Sequence, residues 1–391
     1  MILMANSSSK KEMNPNSKPI PIYLNNAATS FPKAPGLGKE VASLMSACPK
    51  HPGRAATKGE DILYTCRQEV ARLINTNNPN RIVLCKSSTE ALNIAICGID
   101  LHGSTVVTTA MEHNSVLRPL YRLEHLKKIS LIIVGCTDQG RVNEAEWKQA
   151  IINYTPRLVV LNHASNVTGA VNNAESLLGF ARKNGALTLL DASQTMGIIT
   201  VDSTQIPADM IAFTGHKYLL GPTGTGGLYV KEGLSLEPVI VGGTGINSDL
   251  KTMPPEMPQK LEAGTPSVPL FGGLLHALKW AASQPEYHLN TAKYLSKLET
   301  GLKPIGARQV NVQGSRTFVV SFHLPGWDNE DVSYILDNNY SIISRFGLHC
   351  APLIHRYIDS SSKGTIRFSL SRFTREEEID TTLEAMKDFR Q

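Results

Sequence analysis

Lys217 follows an apolar run, Met210-Ile211-Ala212-Phe213, through Thr214-Gly215-His216, and precedes the loop Gly221-Pro222-Thr223-Gly224-Thr225-Gly226-Gly227. An amine at a strand end, with a histidine beside it and glycines that let backbone come close, suits a Schiff base with a carbonyl cofactor. Taken alone, the tetrapeptide also fits a surface lysine beside a turn. Other segments carry chemistry of the same kind. Lys86-Ser87-Ser88-Thr89-Glu90 joins a compact apolar run to a helical pattern, which makes an anion site where unpaired helix N–H groups and the dipole favour a phosphate. A capping box from Ser87 to Glu90 explains the same residues without a ligand, and the two readings can coexist. His113, in Met111-Glu112-His113-Asn114-Ser115, can stack on a flat ring or shuttle a proton, or be structural. Asn166 lies in Asn162-His163-Ala164-Ser165-Asn166-Val167-Thr168-Gly169, and Asp191 opens Asp191-Ala192-Ser193-Gln194.

The elements that must position these residues alternate regularly. Strand patterns are expected over Ile22 to Leu24, Arg81 to Cys85, Thr105 to Thr109, Leu131 to Val134, Leu158 to Leu161, Ala186 to Leu190, Met210 to Phe213 and Leu228 to Val230. Helical spacing marks Asp61 to Leu73, Ala91 to Ile99, and Glu175 to Asn184, the last stopped by Gly185. Strand, polar end and helix in repetition indicate a doubly wound α/β domain, where ligands bind outside the carboxyl ends of the strands. Ser88, His113, Asn166, Asp191 and Lys217 all fall at such ends. An acid to keep a pyridine nitrogen protonated, a stacking ring, a phosphate turn and a Schiff-base lysine form the set that pyridoxal phosphate requires.

Composition narrows the class. A chain of 391 residues with 41% hydrophobic content supports two domains with a shared site. The formal charge of +5 carries no dense Lys/Arg block, so neither nucleic acid nor an acidic membrane surface is expected as partner. Cys48, Cys66, Cys85, Cys97, Cys136 and Cys350 show no CxxC pair and no metal-ligand spacing, which suits reduced thiols in a cytoplasmic protein without a metal site. No apolar run approaches membrane-helix length, and residues 1–21 read as a flexible arm and not a leader. The helix expected near the end starts in a capping box from Thr374 to Glu377 and buries Ile379, Leu383, Met386 and Phe389.

Asp191-Ala192-Ser193-Gln194, Thr214-Gly215-His216-Lys217 and Ser165-Asn166-Val167-Thr168-Gly169 resemble the class V aminotransferase superfamily. Arg345-Phe346-Gly347-Leu348-His349-Cys350-Ala351-Pro352 is similar to its cysteine desulfurase and selenocysteine lyase branch, in the group with a short cysteine loop. The resemblance runs from about Tyr23 to the end of the chain. It implies a fold-type I transferase dependent on pyridoxal 5'-phosphate: a large, mostly parallel doubly wound domain over 22–265 and a smaller α+β domain over 266–391 carrying the cysteine loop.

The resemblance also implies roles. Lys217 is the expected cofactor anchor, Asp191 the partner of the pyridine nitrogen, His113 the ring stacked above it, and Gln194 the contact to its phenolic oxygen. Ser88, Thr89, Thr214 and His216 are expected around the phosphate, with Thr265 of Glu262-Ala263-Gly264-Thr265-Pro266 reaching in from a second subunit, hence a homodimer. Arg367, in Gly364-Thr365-Ile366-Arg367-Phe368-Ser369, resembles the arginine that clamps the substrate carboxylate, assisted by Asn166 and Arg345. Cys350 is the expected sulfur acceptor, its thiolate favoured by Arg345 and His349. The activity implied is conversion of L-cysteine to L-alanine, leaving a persulfide on Cys350 for an acceptor protein. A selenocysteine lyase acting on L-selenocysteine, another C–S lyase, a class V aminotransferase and an inactive scaffold are the alternatives. The chain departs from the family pattern at Ser87, Thr214, Phe346 and Ala55-Ala56-Thr57 after Arg54. The last two bear on substrate choice more than on cofactor binding, and Arg54 itself reads as a solvated side chain or a carboxylate contact.

Overall fold

The computed structural model describes residues 20–48, 61–284, 288–360 and 363–390, with the backbone alone for 288–289. The turn-rich segment around Arg54 and nearly all of the expected N-terminal arm lie outside these residues. In chain order the elements are β1 (Ile22–Tyr23), α1 (Leu37–Ser46), α2 (Ile62–Leu73), β2 (Ile82–Cys85), α3 (Ser88–Cys97), β3 (Ser104–Thr109), α4 (Asn114–His125) and β4 (Ile129–Val134). There follow α5 (Glu144–Tyr154), β5 (Leu158–Asn162), α6 (Ala174–Lys183), β6 (Leu187–Asp191), β7 (Met210–Thr214), β8 (Gly226–Val230) and α7 (Val268–Ala282). The remainder is α8 (His288–Leu302), β9 (Arg308–Gln309), β10 (Val319–His323), α9 (Asn329–Tyr340), β11 (Ile342–Ile343), β12 (Arg345–Gly347), β13 (Thr365–Ser369) and α10 (Glu376–Met386).

The short apolar runs form one seven-stranded sheet in the order β2-β8-β7-β6-β5-β3-β4, parallel except for β8. Their period of two sorts side chains onto two faces. Val107, Val159, Leu161, Leu190, Ile211 and Phe213 join one layer of a first core with α2, α5, α6 and α7, whereas Val106, Leu158, Val160, Leu189, Met210 and Ala212 join its other layer with α3 and α4. Burial on both faces is why these strands read as continuous apolar runs. The helix expected from Ala91 begins at Ser88, because Ser87 caps it by accepting from the Glu90 N–H at 3.2 Å.

A second core gathers residues of α8, α9, α10 and the antiparallel sheet β12-β13-β10-β9. Two contacts cross the expected bounds of 22–265 and 266–391. The strand β1 pairs in parallel with β11, and Leu24 lies in this second core. At the other boundary Phe271, Leu274, Leu275 and Leu278 of α7 pack into the first core. Ile379, Met386 and Phe389 are buried in the second core with Leu383 against it, but the expected capping box is displaced by one residue. The Arg375 N–H donates to Glu378, while Thr374 Oγ1 accepts from the Ser371 N–H and so belongs to the preceding turn.

Among the described residues no helix is long and apolar enough to cross a membrane, and no group of three or more His, Cys, Asp or Glu side chains is placed to hold a metal ion.

Candidate active site

The site is built where β2, β3, β5, β6 and β7 end and where β12 and β13 of the second core approach them. Lys217 follows β7. Its side chain keeps a partial opening yet is surrounded by protein, and this desolvation pulls its ammonium down to about 8. Asp191 opposes that pull, and Arg367, Arg345 and Cys350 act on the same amine. These five side chains therefore share one electrostatic neighbourhood although they span residues 191 to 367. His113 joins them: burial, then Lys217, Arg345, Arg118 and Arg367, bring its imidazole down to about 4. Its Nδ1 accepts from the Ser115 N–H at 3.0 Å, so the neutral ring carries its proton on Nε2.

Asp191 is buried and its side-chain hydrogen bonds come from the Ser193 N–H and hydroxyl. Among the described residues no cation stands in salt-bridge contact with it, which leaves a buried carboxylate suited to a cationic N–H. Gln194 donates to the Ala27 carbonyl at 2.9 Å, while its own Oε1 is buried without a partner.

At the expected phosphate end, Thr214 is buried and its hydroxyl lies 3.4 Å from the Thr225 carbonyl. Burial, Lys217 and Lys33 lower His216 to about 4, and its buried Nδ1 has no partner. The α3 start carries Ser88 and Thr89, the latter 2.8 Å from the Ser115 hydroxyl, which is itself 2.8 Å from His113 Nδ1. Gly226 allows this geometry: a Cβ there would stand 2.8 Å from the Ser87 carbonyl carbon and 3.0 Å from the Ser88 nitrogen. Thr265, expected to reach into the site of a second subunit, sits in an exposed segment before α7.

Arg367 is almost fully buried on β13. It donates to the Asn166 carbonyl at 2.8 Å and to Asn25 Oδ1 at 3.0 Å, and its Nε has no partner. Asn166 in turn donates to the His349 carbonyl at 2.7 Å and leaves its Oδ1 unpaired. Cys350 is exposed, with Arg345 Nη2 3.9 Å from its sulfur. His349 does not act as expected. Its Nε2 is 3.1 Å from both the carbonyl and the hydroxyl of Thr365, and burial with Arg367 nearby holds it well below its ordinary pKa, so it is neutral and cannot supply charge to the thiolate. Phe346 is 41% exposed and points out beside the cysteine loop, away from the buried Arg367.

Some participants were not assigned from the sequence. Asn25 was visible only as one of the small polar residues after Leu24. Lys33 gives no signal, because its partners are set by the fold. Glu112 is fully buried, accepts from the Thr109 hydroxyl and the Asn162 N–H, each at 2.8 Å, and is pushed up to about 8 by burial and by Asp191.

The family sequence profile described as Aminotransferase class-V matches residues 22–382. A Pyrococcus abyssi protein described as "Probable cysteine desulfurase" is 31% identical over 94% of each chain, and one from Methanothermobacter thermautotrophicus with the same description is 32% identical over 83% of each. Among solved structures, the apo cysteine desulfurase of Thermococcus onnurineus superposes with a TM-score of 0.86 at 28% identity, covering 95% of this chain and 94% of that one. The Escherichia coli cysteine desulfurase CsdA gives 0.84 at 26% identity, with the same coverage. The chain belongs to the class-V aminotransferases and, within them, to the cysteine desulfurase family. The family cofactor is pyridoxal 5'-phosphate. The buried Asp191 carboxylate, bonded to Ser193 but without a salt-bridge partner among the described residues, the orphaned atoms of His216 and Gln194, and the close backbone approach at Gly226 all fit that group.

Proposed function

We propose that this chain is a cysteine desulfurase dependent on pyridoxal 5'-phosphate, taking L-cysteine to L-alanine and holding the sulfur on Cys350 for a partner protein. The observation that carries the reading is a chain of contacts: buried Arg367 donates to the Asn166 carbonyl, Asn166 donates to the His349 carbonyl, and the next residue, Cys350, has its sulfur 3.9 Å from Arg345, which faces Arg367 across β12 and β13. This supports a carboxylate clamp beside a sulfur acceptor.

Lys217, Asp191, Gln194, His113, Ser88, Thr89, Thr214 and His216 would hold the cofactor. When bound, the cofactor supplies the electron sink that lets a proton leave Cα and the Cβ–sulfur bond break. Arg367 orients the substrate carboxylate, with Asn166 fixing the guanidinium. Lys217, its amine near neutrality, takes the Cα proton. The Cys350 thiolate attacks the substrate sulfur, forming an S–S bond as the C–S bond breaks. The bonding pair stays on carbon, which is protonated and leaves as alanine. The exposed turn at Thr265 suits a contact into the site of a second copy, so the working form is a homodimer, and a cytoplasmic location accords with six free thiols.

Cys350→Ala tests the reading. Purified protein should lose persulfide and sulfide formation from L-cysteine while keeping its cofactor absorbance. Full sulfide production in that variant would rule the mechanism out, and turnover of L-selenocysteine in its place would favour the lyase alternative.

A further inference from the structure

Behind the cysteine turn stands a buried imidazole that the proposed reaction does not use. Gly347, His349 and Cys350 have φ of 97°, 51° and 60°. Glycine adopts such values freely, but two consecutive side-chain residues in the left-handed region must be held there from outside. Each carbonyl of the turn has an external donor. The His349 carbonyl receives Asn166 at 2.7 Å, the Cys350 carbonyl receives the Asn114 N–H at 2.7 Å, and the Leu348 carbonyl, which accepts from the Ala351 N–H at 3.0 Å within the turn, also lies 3.2 Å from His355 Nε2.

His355 is only 2% exposed, and its Nδ1 is 2.6 Å from the Ser360 hydroxyl. A carbonyl only accepts, so Nε2 carries the proton and Nδ1 accepts from Ser360. The ring lies 6.2 Å from that of His349, which is fixed on Thr365. Burial holds His355 below its ordinary pKa, consistent with this neutral tautomer. Beyond the turn, Ala351, Ile354 and Ile358 pack into the first core, so the segment is anchored on both sides of His355.

We propose that His355, set by Ser360, is a positioning residue for sulfur transfer: its Nε2–H fixes the Leu348 carbonyl and so holds the Cys350 thiol beside Arg345. The inference rests on Cys350 being the sulfur acceptor. The cations that act on this thiol are Arg345, in contact with it, with Lys217 and Arg367 further off.

The test uses full-length holoenzyme carrying Cys48→Ser, since Cys48 is the other exposed cysteine among the described residues. The rate of alkylation of Cys350 by iodoacetamide at one fixed pH is compared with the rate of persulfide formation and the KM for L-cysteine. His355→Leu should slow both alkylation and persulfide formation by about tenfold, the scale of one lost hydrogen bond, with KM little changed. His355→Gln, which can still donate to the Leu348 carbonyl, should recover most of both. Ser360→Ala should slow both by less, and it carries the test if His355→Leu does not fold. An alkylation rate unchanged in His355→Leu, or in Ser360→Ala where only that folds, overturns the proposal. So does a glutamine variant no better than leucine. Absence of persulfide in the unmodified holoenzyme would instead count against the desulfurase reading, while the alkylation rate still judges the clamp.

Discussion

Lys33 donates from Nζ to the carbonyl of His216 at 2.6 Å, one residue before Lys217. The same ammonium donates to the Thr29 and Ser30 hydroxyls at 3.0 and 3.1 Å, and each hydroxyl lies 3.1 Å from the same carbonyl, so the three hydrogens tie the segment after β1 to the strand end that carries the site. Its charge also helps to hold the His216 imidazole neutral.

Lys33→Met should therefore loosen the His216–Lys217 peptide. Loss of charged hydrogen bonds of this kind is worth roughly 1.5–3 kcal/mol, so turnover should fall about tenfold or more, with cofactor lost faster on dialysis. Burial lowers Lys33 to about 8. The folded chain then binds this proton less tightly than the unfolded chain, so the charge costs stability below pH 8 and the cost fades as pH rises toward the ordinary value of 10.5. Thermal unfolding should show the wild-type protein gaining on Lys33→Met between pH 8 and 10. A constant difference across that range would mean that the amine is not perturbed.

Glu112 titrates in the opposite sense. With its carboxyl pushed up to about 8 by burial and by Asp191, the folded chain binds the proton more tightly than the unfolded one. Stability falls as pH rises from about 4.5 to 8, and the full cost is present above 8. Glu112→Gln keeps the shape and removes the titration. It should be more stable than wild type by an amount that grows over this interval to a few kcal/mol, read as a pH-dependent gain in Tm. A glutamine variant that is less stable at every pH would show that the ionised form is the one the site holds.

Lys217, Asp191 and Cys350 could be proposed from the sequence because their chemistry restricts residue type and because strand ends are marked by apolar runs breaking into polar ones. Asn25 was less legible. It meets Arg367 across 342 positions because the chain just after β1 bridges β13 at Ser369, a single parallel bridge that leaves no periodic signal. His349 shows the opposite failure. Its neighbours in sequence suggested a cation for the thiolate, but its contact with Thr365 and its burial, neither visible in the sequence, make it a neutral structural ring. The packing of α7 was not legible for a related reason: an apolar helix declares that it is buried but not in which core.

Arg367→Lys separates a charge from a geometry. The guanidinium reaches the Asn166 carbonyl and Asn25 Oδ1 with two nitrogens and keeps Nε unpaired, whereas a single ammonium cannot span those acceptors and also meet a carboxylate. The lysine variant should raise the KM for L-cysteine by roughly 10- to 100-fold, the cost of one or two charge-assisted hydrogen bonds, with a smaller effect on kcat. An unchanged KM would remove Arg367 from substrate binding.

Gly226→Ala probes the phosphate end without touching a polar side chain. The added methyl would lie 2.8 Å from the Phe213 carbonyl oxygen and from the Ser87 carbonyl carbon, both backbone atoms that cannot swing aside. Either β8 moves away from β7 and β2, to both of which it is paired, or the start of α3 shifts. Separating buried strands should cost a few kcal/mol and lower Tm by several degrees. Displacing α3 should instead carry Ser88 and Thr89 away from Thr214 and His216, with modest loss of stability but weak cofactor retention. Calorimetry and cofactor absorbance on the same sample distinguish the two. A variant that keeps both Tm and bound cofactor would mean that the close approach at Gly226 has no part in forming the site.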